Sequence, residues 1–120
     1  MLRPATITKD MDACIASCQD CHRVCLETVE HCLAQGGASA GRHHLRLLMV
    51  SAEICATSAD FLTVGSRLHV RTCADAAEAC ERSAEACERF GGDAELLNCA
   101  EVCRRCAESC RDLASCALRG

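Results

Sequence analysis

Fourteen of the 120 residues are cysteine, and their spacing is regular. Cys14, Cys18, Cys21, Cys25 and Cys32 follow one another at steps of 4, 3, 4 and 7. Cys99, Cys103, Cys106 and Cys110 repeat the 4, 3, 4 rhythm, and Cys116 follows. At about 100° per residue the first run falls within roughly 60° of a helix's circumference, and so do the first four of the last run. Each Cx3CxxCx3C stretch therefore lays sulfur along the side of a helix where a bundle ordinarily carries leucine. Soft thiolates stacked along an axis suit a soft metal, and many ions better than one.

Cu(I) is the ion that fits best. Side chains at i and i+4 have Cβ atoms about 5–6 Å apart, and a metal held between two sulfurs needs them roughly 4–5 Å apart. Cys14/Cys18, Cys21/Cys25, Cys99/Cys103 and Cys106/Cys110 are the pairs expected to meet that demand, with third ligands from neighbouring helices. Zn(II) prefers four ligands in a tetrahedron, which a rail of sulfurs is expected to supply poorly. A buried thiolate without a cation is costly, so the empty core should hold neutral thiols and release protons as metal arrives.

The elements that position these residues are helices. With Thr8 as a cap, the first is expected over 8–34, stopped by Gly36-Gly37-Ala38-Ser39-Ala40-Gly41. A second is expected over 43–64, ended by Gly65-Ser66. A third, capped by Ser66, runs over 66–90, and a fourth, capped by Asp93 after Gly91-Gly92, over 93–117. Long helices with short turns predict an all-α, antiparallel four-helix bundle in one domain over 1–120, without strands. The middle helices carry a thinner sulfur stripe. Inward positions read His44, Leu48, Ser51, Cys55, Ala59 and Leu62 on the second, and His69, Cys73, Ala77, Cys80, Ala84 and Cys87 on the third. Thirteen cysteines then share one axis, while Cys116 lies about 100° off its helix's stripe; all fourteen, with His44 and His69, are the candidate metal ligands.

Composition narrows the function. A net charge of −4 gives no basic footprint for nucleic acid or an anionic membrane. No apolar stretch reads as a signal peptide or a membrane span, so the expected compartment is the cytosol, where thiols stay reduced and serve metal or catalysis. Leu, Ile, Val and Phe are sparse, and small residues and sulfur must fill the core. No Ser/His/Asp set, phosphate loop or paired carboxylate is present, so the chain is read as a binding protein and not an enzyme.

The two dense motifs, Cys14-Cys18-Cys21-Cys25 and Cys99-Cys103-Cys106-Cys110, resemble those of the bacterial four-helix-bundle copper storage proteins, in particular the cytosolic members. The likeness covers Cys14 to Cys116. It implies several Cu(I) ions along the bundle interior, a histidine near an open end, and homotetramers. Ala77, Ala84, Ser51 and Leu48 stand where a denser pattern would place ligands.

Other readings explain less. Cysteine as a small hydrophobe accounts for one or two buried thiols, not thirteen on one axis. Cys18-Gln19-Asp20-Cys21-His22 matches the C-x-x-C-H of haem attachment, but leaves twelve cysteines unused, and His22 points about 80° from the stripe. Iron–sulfur runs sit in loops with a following proline, which is absent here. A thiol-redox pair, Cys18/Cys21 or Cys103/Cys106, and a Zn(II)/Cd(II) thiolate buffer are the alternatives kept.

Three further expectations follow. His44 and His69 lie inward at opposite ends, with His44 at the preferred mouth beside Cys32, Cys87 and Cys99, and His31 and His43 nearby to feed ions in. On the second helix Leu47, Val50, Ile54 and Phe61 form a second apolar stripe, the mark of a homo-oligomer. Saturation is expected near one Cu(I) per inward cysteine.

Overall fold

The computed structural model describes residues 5–119, and side chains over residues 9–115. Four helices run α1 (Ala5–Gln35), α2 (Arg42–Thr63), α3 (His69–Glu88) and α4 (Ala94–Arg119), and no strand occurs among the described residues. The backbone of each packs against its neighbours in a ring, α1 against α2 and α4, and α3 against α2 and α4, while the diagonal pairs meet only through side chains on the axis. Cys14 meets Cys110 and Cys25 meets Cys103 across the α1–α4 seam, which fixes those two helices as antiparallel. The result is a bundle of 51 × 20 × 18 Å with a single long axis.

Local chemistry sets the helix ends. Gly36 and Gly37 adopt φ 71° and 73°, a conformation that other residues take with difficulty, and they turn the chain into a short 3-10 segment, Ala38–Ala40. At the end of α2 the Ser66 amide donates to Phe61 and the Gly65 amide to Leu62, a Schellman closure with Gly65 at φ 73°. α3 starts later than its sequence suggests. Ser66 does accept from the Leu68 amide, as a cap would. However, the amides of His69, Val70 and Arg71 bond three residues back, and regular α-helix begins only at His69. Asp93 accepts from the amides of Glu95 and Leu96 and caps α4 as expected.

Alanine lets the helices close around the sulfur. Ala52, Ala59, Ala76, Ala77, Ala84, Ala100 and Ala107 are all buried among the cysteines, with Leu48, Leu62 and Leu96 as the largest fully buried side chains. Between α2 and α3 the packing is polar. The Ser51 and Ser83 hydroxyls lie 2.7 Å apart, Ser51 reaches the Ala79 carbonyl and Ser83 donates to that of Leu47. Outside, Arg111–Glu81 and Arg104–Glu88 lace α4 to α3. No helix is long and apolar enough to cross a membrane.

Candidate metal centre

Thirteen cysteine side chains are described, and every one is unpaired by disulfide and fully buried. Nine of these sulfurs form one connected column with neighbours at 3.4–3.8 Å. It runs from Cys14 to Cys110 (3.7 Å), Cys18 (3.6 Å), Cys106 (3.8 Å), Cys55 (3.7 Å), Cys80 (3.4 Å) and Cys21 (3.6 Å), where Cys25 and Cys103 join. Cys73 lies alongside Cys14 and Cys110 at one end, and Cys99 continues from Cys25 and Cys103 to Cys87 at the other. Cys116 lies outside the described side chains.

The contacts differ from the expected pairs. Of the four i,i+4 pairs, only Cys21/Cys25 (3.8 Å) is among the sulfur contacts within 4 Å, and the other eight contacts link different helices. Convergence of the four stripes on one axis brings sulfurs of different helices closer than successive turns of one helix stand apart. Three groups could each surround an ion: Cys21/Cys55/Cys80/Cys106, Cys14/Cys18/Cys110 and Cys21/Cys25/Cys103. The first takes one sulfur from each helix at a single level, so convergence on four ligands, expected to be poor, is in fact good there. Two metal–sulfur bonds of about 2.3 Å held at trigonal or tetrahedral angles separate sulfurs by roughly 3.8–4 Å. The column already stands at that spacing.

The thiols also share protons. Cys80 is held far above the ordinary thiol range by its bonds with Cys103, Cys106, Cys21 and Cys55, and burial adds to this. Cys110 is raised in the same way by Cys106, Cys14, Cys18 and Cys73. Although Cys110 works against it, Cys73 is pushed up to about 12 by Cys14 and burial. Cys14, Cys21, Cys99 and Cys106 take the accepting role and are shifted down, Cys14 and Cys106 chiefly by Cys110, Cys21 and Cys99 chiefly by Cys103. An arriving cation releases these protons and neutralises the charge left behind.

His44 closes one end of the column. It is 5 % exposed, and its Nδ1 stands 2.8 Å from the Ser39 carbonyl, so Nδ1–H donates and Nε2 keeps its lone pair. That Nε2 lies 3.5 Å from Cys87 Sγ, while Cys32 Sγ lies 3.9 Å from Nδ1 and Phe90 tilts against the ring at 4.8 Å. His69 is placed differently. It begins α3, is only partly buried, and its Nδ1 bonds the Ser66 carbonyl of its own turn, 2.8 Å away, with no described sulfur in contact. The delayed start of α3 accounts for this. His31 is bound at both nitrogens, Nε2 to Asp93 and Nδ1 to Glu95, each at 2.9 Å, which ties α1 to the start of α4. His43 is exposed, and His22 bonds the Ala52 carbonyl, joining α1 to α2.

Two polar groups near the sulfur were missed by the spacing argument. Thr28, 3 % exposed, fills the stripe position skipped by the seven-residue step from Cys25 to Cys32, and donates to the Val24 carbonyl at 2.7 Å. That long step was the available signal. Ser39, whose carbonyl sets the His44 tautomer, sits in a glycine-rich loop and left no signal.

The match to known proteins follows the same residues. A family model described as "Copper storage protein" (Csp) matches residues 7–115. The chain belongs to the copper storage protein family. Among solved structures it is similar to the Nmul_A1745 protein from Nitrosospira multiformis, at 41% identity and TM-score 0.85, over 91% of this chain and 98% of that one. The Cu(I)-bound copper storage protein BsCsp3 is 30% identical with TM-score 0.81, over 88% and 98% of the two chains. Apo-Csp3 from Bacillus subtilis is 31% identical with TM-score 0.79, over 86% and 97%. Among curated proteins none matches the chain.

Proposed function

We propose that this protein stores many Cu(I) ions, with Cys14, Cys18, Cys21, Cys25, Cys32, Cys55, Cys73, Cys80, Cys87, Cys99, Cys103, Cys106 and Cys110 as the thiolate ligands. One observation carries the reading: thirteen sulfurs are buried, and nine of them stand in a column whose neighbours approach to 3.4–3.8 Å, so that one sulfur can bridge two ions. Cu(I) accepts two or three soft ligands, and a bridged column uses every sulfur twice. Copper and inward cysteine then balance, at on the order of ten to fourteen ions per chain.

His44 is the entry ligand in this reading. Its Nε2 lone pair faces Cys87, and imidazole grips Cu(I) less firmly than thiolate does, so an ion can be accepted there and passed on. The role is storage, without turnover of a substrate. A cytosolic setting suits thirteen free thiols, and a homotetramer is the assembly that the family likeness implies. A second reading has one observation behind it: the Cys21/Cys55/Cys80/Cys106 group has the form of a tetrahedral Zn(II) seat.

Anaerobic Cu(I) titration of reduced protein, with a chromophoric competitor and thiol counting, separates the two. Saturation near ten or more, with few thiols reactive in the unfolded loaded protein, is expected. Saturation at about three ions would leave the zinc-type reading, and most thiols still reactive at saturation would remove both metal-store readings.

A further inference from the structure

The sulfur thins between the column and the mouth. Cys21, Cys55, Cys80 and Cys106 stand at one level, one from each helix. Seven residues make two turns, about 10 Å along a helix, and return to nearly the same face. Two turns nearer His44, the same four stripes read Thr28, Leu48, Cys87 and Cys99, all buried. Two sulfurs remain there, and α1 and α2 contribute none. The Thr28 hydroxyl donates to the Val24 carbonyl of its own helix at 2.7 Å, and its oxygen is a hard donor that a soft ion passes over. Leu48 offers no donor at all. The packing loosens as well. Each group of three or four thiols able to surround an ion, with sulfurs within 4.8 Å of one another, draws its α1 members from Cys14 to Cys25. Among the described residues no such group includes Cys32, Cys87 or Cys99.

What is left is a single thread. On α1 the gap from Cys25 to Cys32 spans two turns, on α3 so does the gap from Cys80 to Cys87, and α2 has no sulfur between Cys55 and His44. Cys99 bonds Cys25 and Cys103 on the column side and Cys87 on the mouth side. Cys87 Sγ in turn lies 3.5 Å from His44 Nε2. An ion that stays bound while it moves must gain one thiolate before it loses another, and a metal between two sulfurs spans roughly 4–5 Å. Gaps of two turns are too long for that. We propose that Cys99 is the one relay through which Cu(I) passes between the column and the mouth, and that Thr28 keeps the passage single. Thr28→Cys would set a thiol between Cys25 and Cys32 and open a second lane. The narrow step makes retention a matter of rate, since ions change seats freely inside while the way out stays slow. This inference rests on the His44 mouth of the proposed function, and adds to it what limits the traffic through that mouth.

The test is the rate at which an excess of chromophoric Cu(I) chelator withdraws copper from loaded protein without oxygen. Cys99→Ala should lower the rate constant at least about tenfold, because the crossing loses its stepping ligand, while most of the capacity remains. Thr28→Cys added to Cys99→Ala should bring the rate back to within about threefold of wild type, whereas Thr28→Ser added to it should not. Rescue from another helix is a result that a merely structural role for Cys99 does not produce. If Cys99→Ala loosens the metal-free bundle, judged by helical circular dichroism, Cys99→Ser removes the thiol and keeps the volume. His44→Ala is measured alongside. A wild-type rate in the Cys99 variants, with slow withdrawal from His44→Ala, would overturn the relay and leave the mouth standing. Wild-type rates in both would put the exit elsewhere and overturn both. Slow withdrawal that Thr28→Cys fails to restore would overturn the part given to Thr28.

Discussion

At the scale of single residues, Cys55 carries more than its share. It is the only cysteine of α2, and it joins Cys80 on α3 to Cys106 on α4. Cys55→Ala should therefore lower copper capacity by more than one ion, measured by titration, whereas loss of a single ion would show that the column is not continuous there. His44 makes a separate prediction. His44→Ala should slow loading and chelator withdrawal while leaving final capacity nearly unchanged, and unaltered stopped-flow rates would remove it as the entry ligand. The thiols set a pH dependence for the metal-free form. Cys80, Cys110, Cys25 and Cys18 have pKa values raised well above the ordinary thiol value of 9.0. An unfolded chain loses those protons near pH 9 while the folded core keeps them. The stabilisation is thus complete below about pH 9 and is lost as pH rises further. Urea midpoints of the metal-free protein should fall between pH 8 and pH 10, and a rise would contradict the assignment of neutral thiols.

At the scale of elements, periodicity made the stripes legible and end chemistry limited the rest. The inward positions on α2, from His44 to Leu62, are all buried as their spacing predicts. His69 departs from its stripe because the turn leading into α3 is tight, with amides bonding three residues back from Ser66 onward, and regular α-helix starts only at His69. Spacing also could not show that sulfurs meet between helices more than along them, since that depends on how the four stripes interdigitate. The α2–α3 seam yields a paired prediction. Ser51→Ala removes a bonded hydroxyl and should cost about 1 kcal/mol. Ser58 is fully buried with its hydroxyl unpartnered, so Ser58→Ala should be neutral or stabilising by about 1 kcal/mol. Denaturant melts of both variants check this, and equal losses would show that Ser58 has a partner.

At the scale of the molecule, the fold is a sleeve around its cargo. With few large apolar side chains in the core, much of the loaded state's stability should come from metal linkage. Each site filled at a hundredfold over its dissociation constant adds about 2.7 kcal/mol, so partial loading should already raise the melting temperature by about 10 °C or more. A flat calorimetric midpoint across the titration would mean that copper also binds the unfolded chain. The short steps between sulfurs reach further than capacity. An ion leaving one seat finds the next within bridging distance, so it can change neighbours without ever becoming free. Deposits made at different times should then lose their order. If one copper isotope is loaded first and another afterwards, the first ions withdrawn by a chelator should carry the isotope ratio of the whole store. Ions returning last in, first out would mean that each seat keeps its own.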